Sequence, residues 1–69
     1  MILFKERLRE LRTEKHLSQS ELAKALNVGQ RSISSWETGF RQPDFEMLEQ
    51  IVKFFEVTAD YLLGLEEYK

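Results

Sequence analysis

Sixty-nine residues, 42% of them hydrophobic and none of them cysteine, make one small domain with no disulfide or thiolate metal site to staple it. No stretch nears the ~18 uninterrupted apolar residues of a membrane span, and the opening MILFKERLRE turns charged at once, so neither a membrane span nor a secretory signal is expected and a reduced, cytoplasmic setting is the default reading. The net charge of −2 conceals a division, because residues 1–42 balance at +3, residues 43–69 at −5, and Leu22–Trp36 holds no acid at all.

Hydrophobic spacing is helical from end to end, with no period-two run that would mark a strand. A first helix is predicted from about Leu3 to Lys15, with Phe4, Leu8 and Leu11 on its inner face. After the polar TEKH stretch, Ser18 and Glu21 form an S-x-x-E capping box, flanked by Leu17 and Leu22 as a hydrophobic staple. The second helix, Gln19 to Leu26, turns Leu22, Ala23 and Leu26 inward, and Asn27 is suited to the left-handed conformation that ends it. A third helix opens at Gly29 or Gln30 and closes at Gly39, with Ile33 and Trp36 facing the core. Pro43 interrupts the chain, and Asp44 caps a fourth helix, Phe45 to Phe55, expected to bury Leu48, Ile51, Val52 and Phe55. Thr58 caps a short fifth helix through Tyr61, Leu62 and Leu63, with residues 64–69 opening a tail or linker. Five short helices joined by tight turns predict an all-α orthogonal bundle.

The outer face of the third helix is unusual. Gln30, Arg31, Ser32, Ser34, Ser35 and Thr38 stand where an ordinary solvated helix favours Glu, Lys and Ala. Two short helices joined by about three residues form a helix-turn-helix, whose second helix can enter a DNA major groove about 12 Å wide. Small serines let the backbone come close, the missing acids avoid phosphate repulsion, and Gln and Arg carry the donors that adenine and guanine accept.

The stretch LSQSELAKALNVGQRSISSWETG resembles the Cro/cI-type helix-turn-helix family of phage repressors and bacterial regulators. The matched pattern is L-S-Q-x-E-L-A, then V, then I-S-x-W-E-x-G, followed by Pro43 and the closing VTADYLLG, and it spans Phe4 to Gly64. The resemblance implies a lambda-repressor-like five-helix bundle that binds double-stranded operator DNA through the major groove as a homodimer, most often as a repressor. It further implies that Gln19 touches a phosphate and braces Gln30, and that Gln30 reads an adenine. Arg31, Ser34 and Ser35 take base-facing positions, and Ser18, Ser32, Thr38 and Arg41 suit phosphate or sugar. Arg12 and Glu37 occupy the places of an ion pair joining the first and third helices. Two positions depart from the pattern: Gly29 stands where Ser, Thr or Asp often caps the third helix, and Phe40 stands where a basic residue is usual. Phe40, Phe54, Tyr61 and Tyr68 are the aromatic residues expected at the dimer surface.

No catalytic constellation accompanies these residues. His16 is the lone histidine, without the ligands for a metal or a partner for nucleophilic or acid–base chemistry, so neither an enzyme nor a cofactor is expected. The reading from a different class is a protein-interaction module of the same fold, an antitoxin or adaptor that binds a protein partner through the acidic C-terminal half.

Overall fold

Five helices follow one another in the computed structural model, which describes residues 2–69: α1 (Phe4–Glu14), α2 (Gln19–Leu26), α3 (Gln30–Thr38), α4 (Phe45–Phe55) and α5 (Ala59–Leu63). No strand occurs among the described residues, and no helix is long and apolar enough to cross a membrane. The helix ends match the local chemistry. Ser18 Oγ accepts from the Glu21 amide at 3.0 Å while Glu21 Oε1 accepts from the Ser18 amide at 2.8 Å, completing the capping box. Asp44 and Thr58 each cap through a side-chain oxygen, to the amides of Met47 and Tyr61. Asn27, Gly39, Glu56 and Gly64 close α2, α3, α4 and α5 in the left-handed conformation.

The core is assembled from one fully buried aliphatic side chain per helix: Leu8, Leu22, Ile33, Ile51 and Leu62. Each such side chain contributes roughly 1.5–3 kcal/mol of transfer free energy. Trp36, Phe4, Phe55 and Tyr61 fill the space around them. On α4 the expected inner face is only partly covered. Ile51 and Phe55 are buried, but Leu48 and Val52 are half-buried, because α4 packs chiefly on α5 at the edge of the bundle.

Tyr61 corrects the sequence reading, which put it at a dimer surface. It is 5% exposed, and its ring lies under the Arg7 guanidinium at 4.1 Å. Arg7 Nη1 also donates to the carbonyls of Tyr61 at 2.8 Å and Glu66 at 3.0 Å, so one side chain ties α1 to the end of α5 and to the following segment. Lys69 pairs with Glu14, laying residues 64–69 along α1. Gly64 is required at this junction twice over: its φ is +87°, and a Cβ there would meet Leu3 Cγ at 2.8 Å.

The capping box makes stability depend on acid. Hydrogen bonds from the Ser18 amide and hydroxyl hold the Glu21 carboxyl below its ordinary pKa. A carboxyl lowered in the folded state stabilises the protein above its unfolded pKa, and that contribution disappears as pH falls through the folded value. Glu21→Gln keeps a capping side chain but removes the titration, so its thermal stability is expected to fall less steeply on acidification than that of the parent. Identical acid limbs in the two melting curves would show that Glu21 carries none of the dependence.

Candidate nucleic-acid interface

Residues 27–29 turn α2 into α3, with the Val28 amide bonded to the Ala23 carbonyl at 2.9 Å. Leu22 and Leu26 from α2 meet Ile33 from α3 within the core, which fixes the two helices as a unit. Gly29 takes an extended conformation and supplies no side-chain cap to α3, as its identity requires. The buried residues of α3 are Ile33, Trp36 and Glu37, spaced to lie along one side. Arg31, Ser35 and Thr38 lie on the other side, with Ser34 and Gln30 at its edge. Gln30, Arg31 and Thr38 are exposed, while Ser32, Ser34 and Ser35 are half-buried. The face is therefore polar, narrow in profile and free of exposed acid.

Glu37 is the single acid of α3, and the fold removes it from that face. Its side chain is 3% exposed and is gripped by Arg12, with Nε to Oε2 at 2.6 Å and Nη2 to Oε1 at 3.1 Å. Arg12 Nη1 reaches the Leu17 carbonyl at 2.7 Å, and Gln19 Nε2 donates to Glu37 Oε1 at 3.2 Å. α1, the start of α2 and the end of α3 are thus joined by one network.

The resemblance implies that Gln19 braces Gln30, but here Gln19 Nε2 donates to Glu37 and no Gln19–Gln30 hydrogen bond is formed. Ser20 reaches Gln30 instead, its hydroxyl 2.9 Å from Oε1. Nothing in the pattern of residues marked Ser20, since the contact crosses the turn between two helices. Ser18 is exposed at the start of α2, its hydroxyl oxygen accepting from the Glu21 amide. Thr38 Oγ1 bonds back to the Ser35 carbonyl at 3.2 Å, which also accepts from the amides of Phe40 and Arg41. That turn opens a cleft of about 380 Å³ lined by Arg31, Ser32, Ser35, Trp36, Phe40 and Arg41, with two guanidinium groups at its rim.

The aromatic residues expected at a subunit surface divide. Phe40 and Tyr68 are exposed. Phe54 is not free: it is half-buried, edge-on to Phe55 with ring centroids 5.0 Å apart, and covered by the Lys15 ammonium. The exposed aromatic of α4 is Phe45, 89% accessible, beside an apolar groove of about 210 Å³ formed by Ile2, Phe4, Pro43, Leu48 and Leu63. Helical spacing aligns Phe45 with the half-buried Leu48 and Val52. At the first position of α4, however, it overhangs the bundle.

Comparison with known proteins agrees with this geometry. Residues 8–62 match the helix-turn-helix family model HTH_3. The chain is 50% identical over 64 residues to the HTH-type transcriptional activator BcrR of Enterococcus faecalis, covering 93% of this chain and 31% of that protein. It is 37% identical over 62 residues to the HTH-type transcriptional regulator ImmR of Bacillus subtilis, covering 90% of this chain and 49% of the relative. The chain thus spans about half or less of these two relatives. The crystal structure of the P22 c2 repressor in complex with a synthetic operator superposes with a TM-score of 0.86 at 32% identity, covering 96% of this chain and 100% of that one.

Proposed function

The chain belongs to the Cro/cI-type helix-turn-helix family of transcriptional regulators, and from that membership we propose that it binds a two-fold operator sequence-specifically as a homodimer, with α3 in the major groove. The observation that carries the reading is the face of α3, where Gln30 and Arg31 are exposed, Ser34 and Ser35 lie low, and the one acid is buried and neutralised. Gln30 and Arg31 read base edges, and Ser34 and Ser35 bring the backbone close to them. Ser18, Gln19, Ser32, Thr38 and Arg41 hold phosphate or sugar and set the register of the helix on the duplex. Phe40 and Phe45 supply the dimer surface, and the protein works in the cytoplasm as a repressor, in line with its likeness to the P22 c2 repressor. The likeness to an activator favours a second reading, activation from the same DNA-bound geometry. A reporter separates the two: only the second predicts stimulation when the site lies upstream of the promoter.

Selection of bound sites from random duplex DNA tests the core of the proposal. The expected product is a symmetric sequence with half-sites about one helical turn, roughly 34–36 Å, apart. Enrichment of no sequence would overturn it. Salt titration of the selected site is expected to show a steep linear loss of log affinity with log salt concentration. Arg41→Ala is expected to weaken all sequences alike and to lower that slope by about one ion. An unchanged slope would remove Arg41 from the phosphate contacts.

A further inference from the structure

Gln30 is exposed, and its amide presents opposite patterns to a base depending on which way it is turned. With oxygen and nitrogen exchanged, a donor replaces an acceptor at each position. Such a side chain discriminates well only when something fixes its rotamer and its polarity before DNA arrives. The residue that family resemblance would assign to this task, Gln19, donates to Glu37 and makes no hydrogen bond to Gln30. The group that meets Gln30 is the Ser20 hydroxyl, at 2.9 Å from Oε1.

We propose that Ser20 is a positioning residue for base recognition, holding the Gln30 amide by its oxygen so that Nε2 and the second oxygen lone pair are offered to an adenine. The proposal rests on the reading of α3 as the recognition helix. A serine hydroxyl can donate or accept, so the hydroxyl alone does not choose the polarity. Its place in the fold does. Ser20 is the second residue of α2, in a first turn whose amides lack intrahelical partners, and Ser18 satisfies only that of Glu21. The partial positive charge of that turn favours the oxygen end of the Gln30 amide on its side and repels the NH2 end. A carbonyl oxygen has two lone pairs; Ser20 takes one, and the other remains for the adenine N6 hydrogen while Nε2 donates to N7. Guanine presents acceptors at both N7 and O6, so the same fixed oxygen would face O6 without a proton between them. Ser20 therefore biases the position toward adenine without touching DNA.

The experiment is site selection and competition binding with the parent, Ser20→Ala, Ser20→Thr, Gln30→Ala and the Ser20→Ala/Gln30→Ala double variant. Ser20→Ala replaces an exposed helical serine by the best helix former, so the fold is retained, which its circular dichroism melt checks. The expected result is that Ser20→Ala relaxes adenine preference about three- to tenfold, the worth of one neutral hydrogen bond. The relaxation should occur at the same base pair that Gln30→Ala relaxes, Ser20→Thr should restore it, and the double variant should be no worse than Gln30→Ala. A phosphate-binding role for Ser20 would instead weaken all sequences alike and relax no single base pair. If Gln30→Ala relaxes one position and Ser20→Ala leaves it untouched, or if the two effects simply add, Ser20 does not position Gln30. If Gln30→Ala changes no preference, the reading of Gln30 itself fails and the proposal falls with it.

Discussion

Arg12→Met is expected to cost roughly 3–5 kcal/mol of folding stability, most of what a domain this small can hold. The reason lies in what it leaves behind. The Glu37 carboxylate, 3% exposed, would keep only the Gln19 amide at 3.2 Å after losing two charged bonds from Arg12. The Leu17 carbonyl would lose its donor as well. A carboxylate left without its cation in a nearly dry site bears a heavy desolvation cost and pulls the end of α3 toward water. Glu37→Leu alone is expected to be costly in the same way, through an uncompensated guanidinium, though Arg12 is less deeply buried. The double variant Arg12→Met/Glu37→Leu should recover much of the loss, because replacing both ions by apolar groups removes the unpaired charge. Urea unfolding of the four proteins measures this. Coupling well beyond the 0.2–1 kcal/mol of exposed pairs is expected. Additive effects would mean that the pair is not the structural lock between α1 and α3 that its geometry describes.

The second large effect concerns assembly. Phe45→Glu is expected to abolish cooperative occupation of a palindromic site, lowering affinity for the two-half-site duplex by about 10²- to 10⁴-fold. That is the gain normally won when a second binding event becomes intramolecular, and it vanishes when subunits no longer meet. The ring is 89% exposed at the start of α4, beside the apolar groove of Ile2, Phe4, Pro43, Leu48 and Leu63, and Phe40 lies on the preceding loop, also exposed. A solitary exposed aromatic is commonplace, but one that borders an apolar groove forms a patch of the kind that marks interaction surfaces. Folding should be unaffected, because Phe45 contributes little buried area. Phe54→Glu is the informative contrast: it breaks the packing against Phe55 and should lower stability instead of cooperativity. If Phe45→Glu still fills both half-sites in one cooperative step, the subunits meet elsewhere, and Phe40 and Tyr68 are the next residues to replace.

Much of this molecule was already legible along the chain. Helix number, order and nearly every boundary follow from local chemistry: the Ser18–Glu21 box, the Asp44 and Thr58 caps, and the left-handed ends at Asn27, Gly39 and Gly64. These signals act over four or five residues, so they survive in a one-dimensional reading. The inner face of α3 and the acid-free character of its outer face are likewise properties of spacing and composition. Long-range partners are a different matter. That Tyr61 is covered by Arg7, that Gln19 turns to Glu37 and leaves Gln30 to Ser20, and that Phe54 is packed while Phe45 is bare, all depend on which helices cross and how far each overhangs its neighbours. Periodicity tells which side of a helix is apolar, but not where along its length the neighbouring helix stops covering it. A glutamine or an arginine has several donors and many rotamers, and its choice among partners is made only when α1, α2 and α3 close around it.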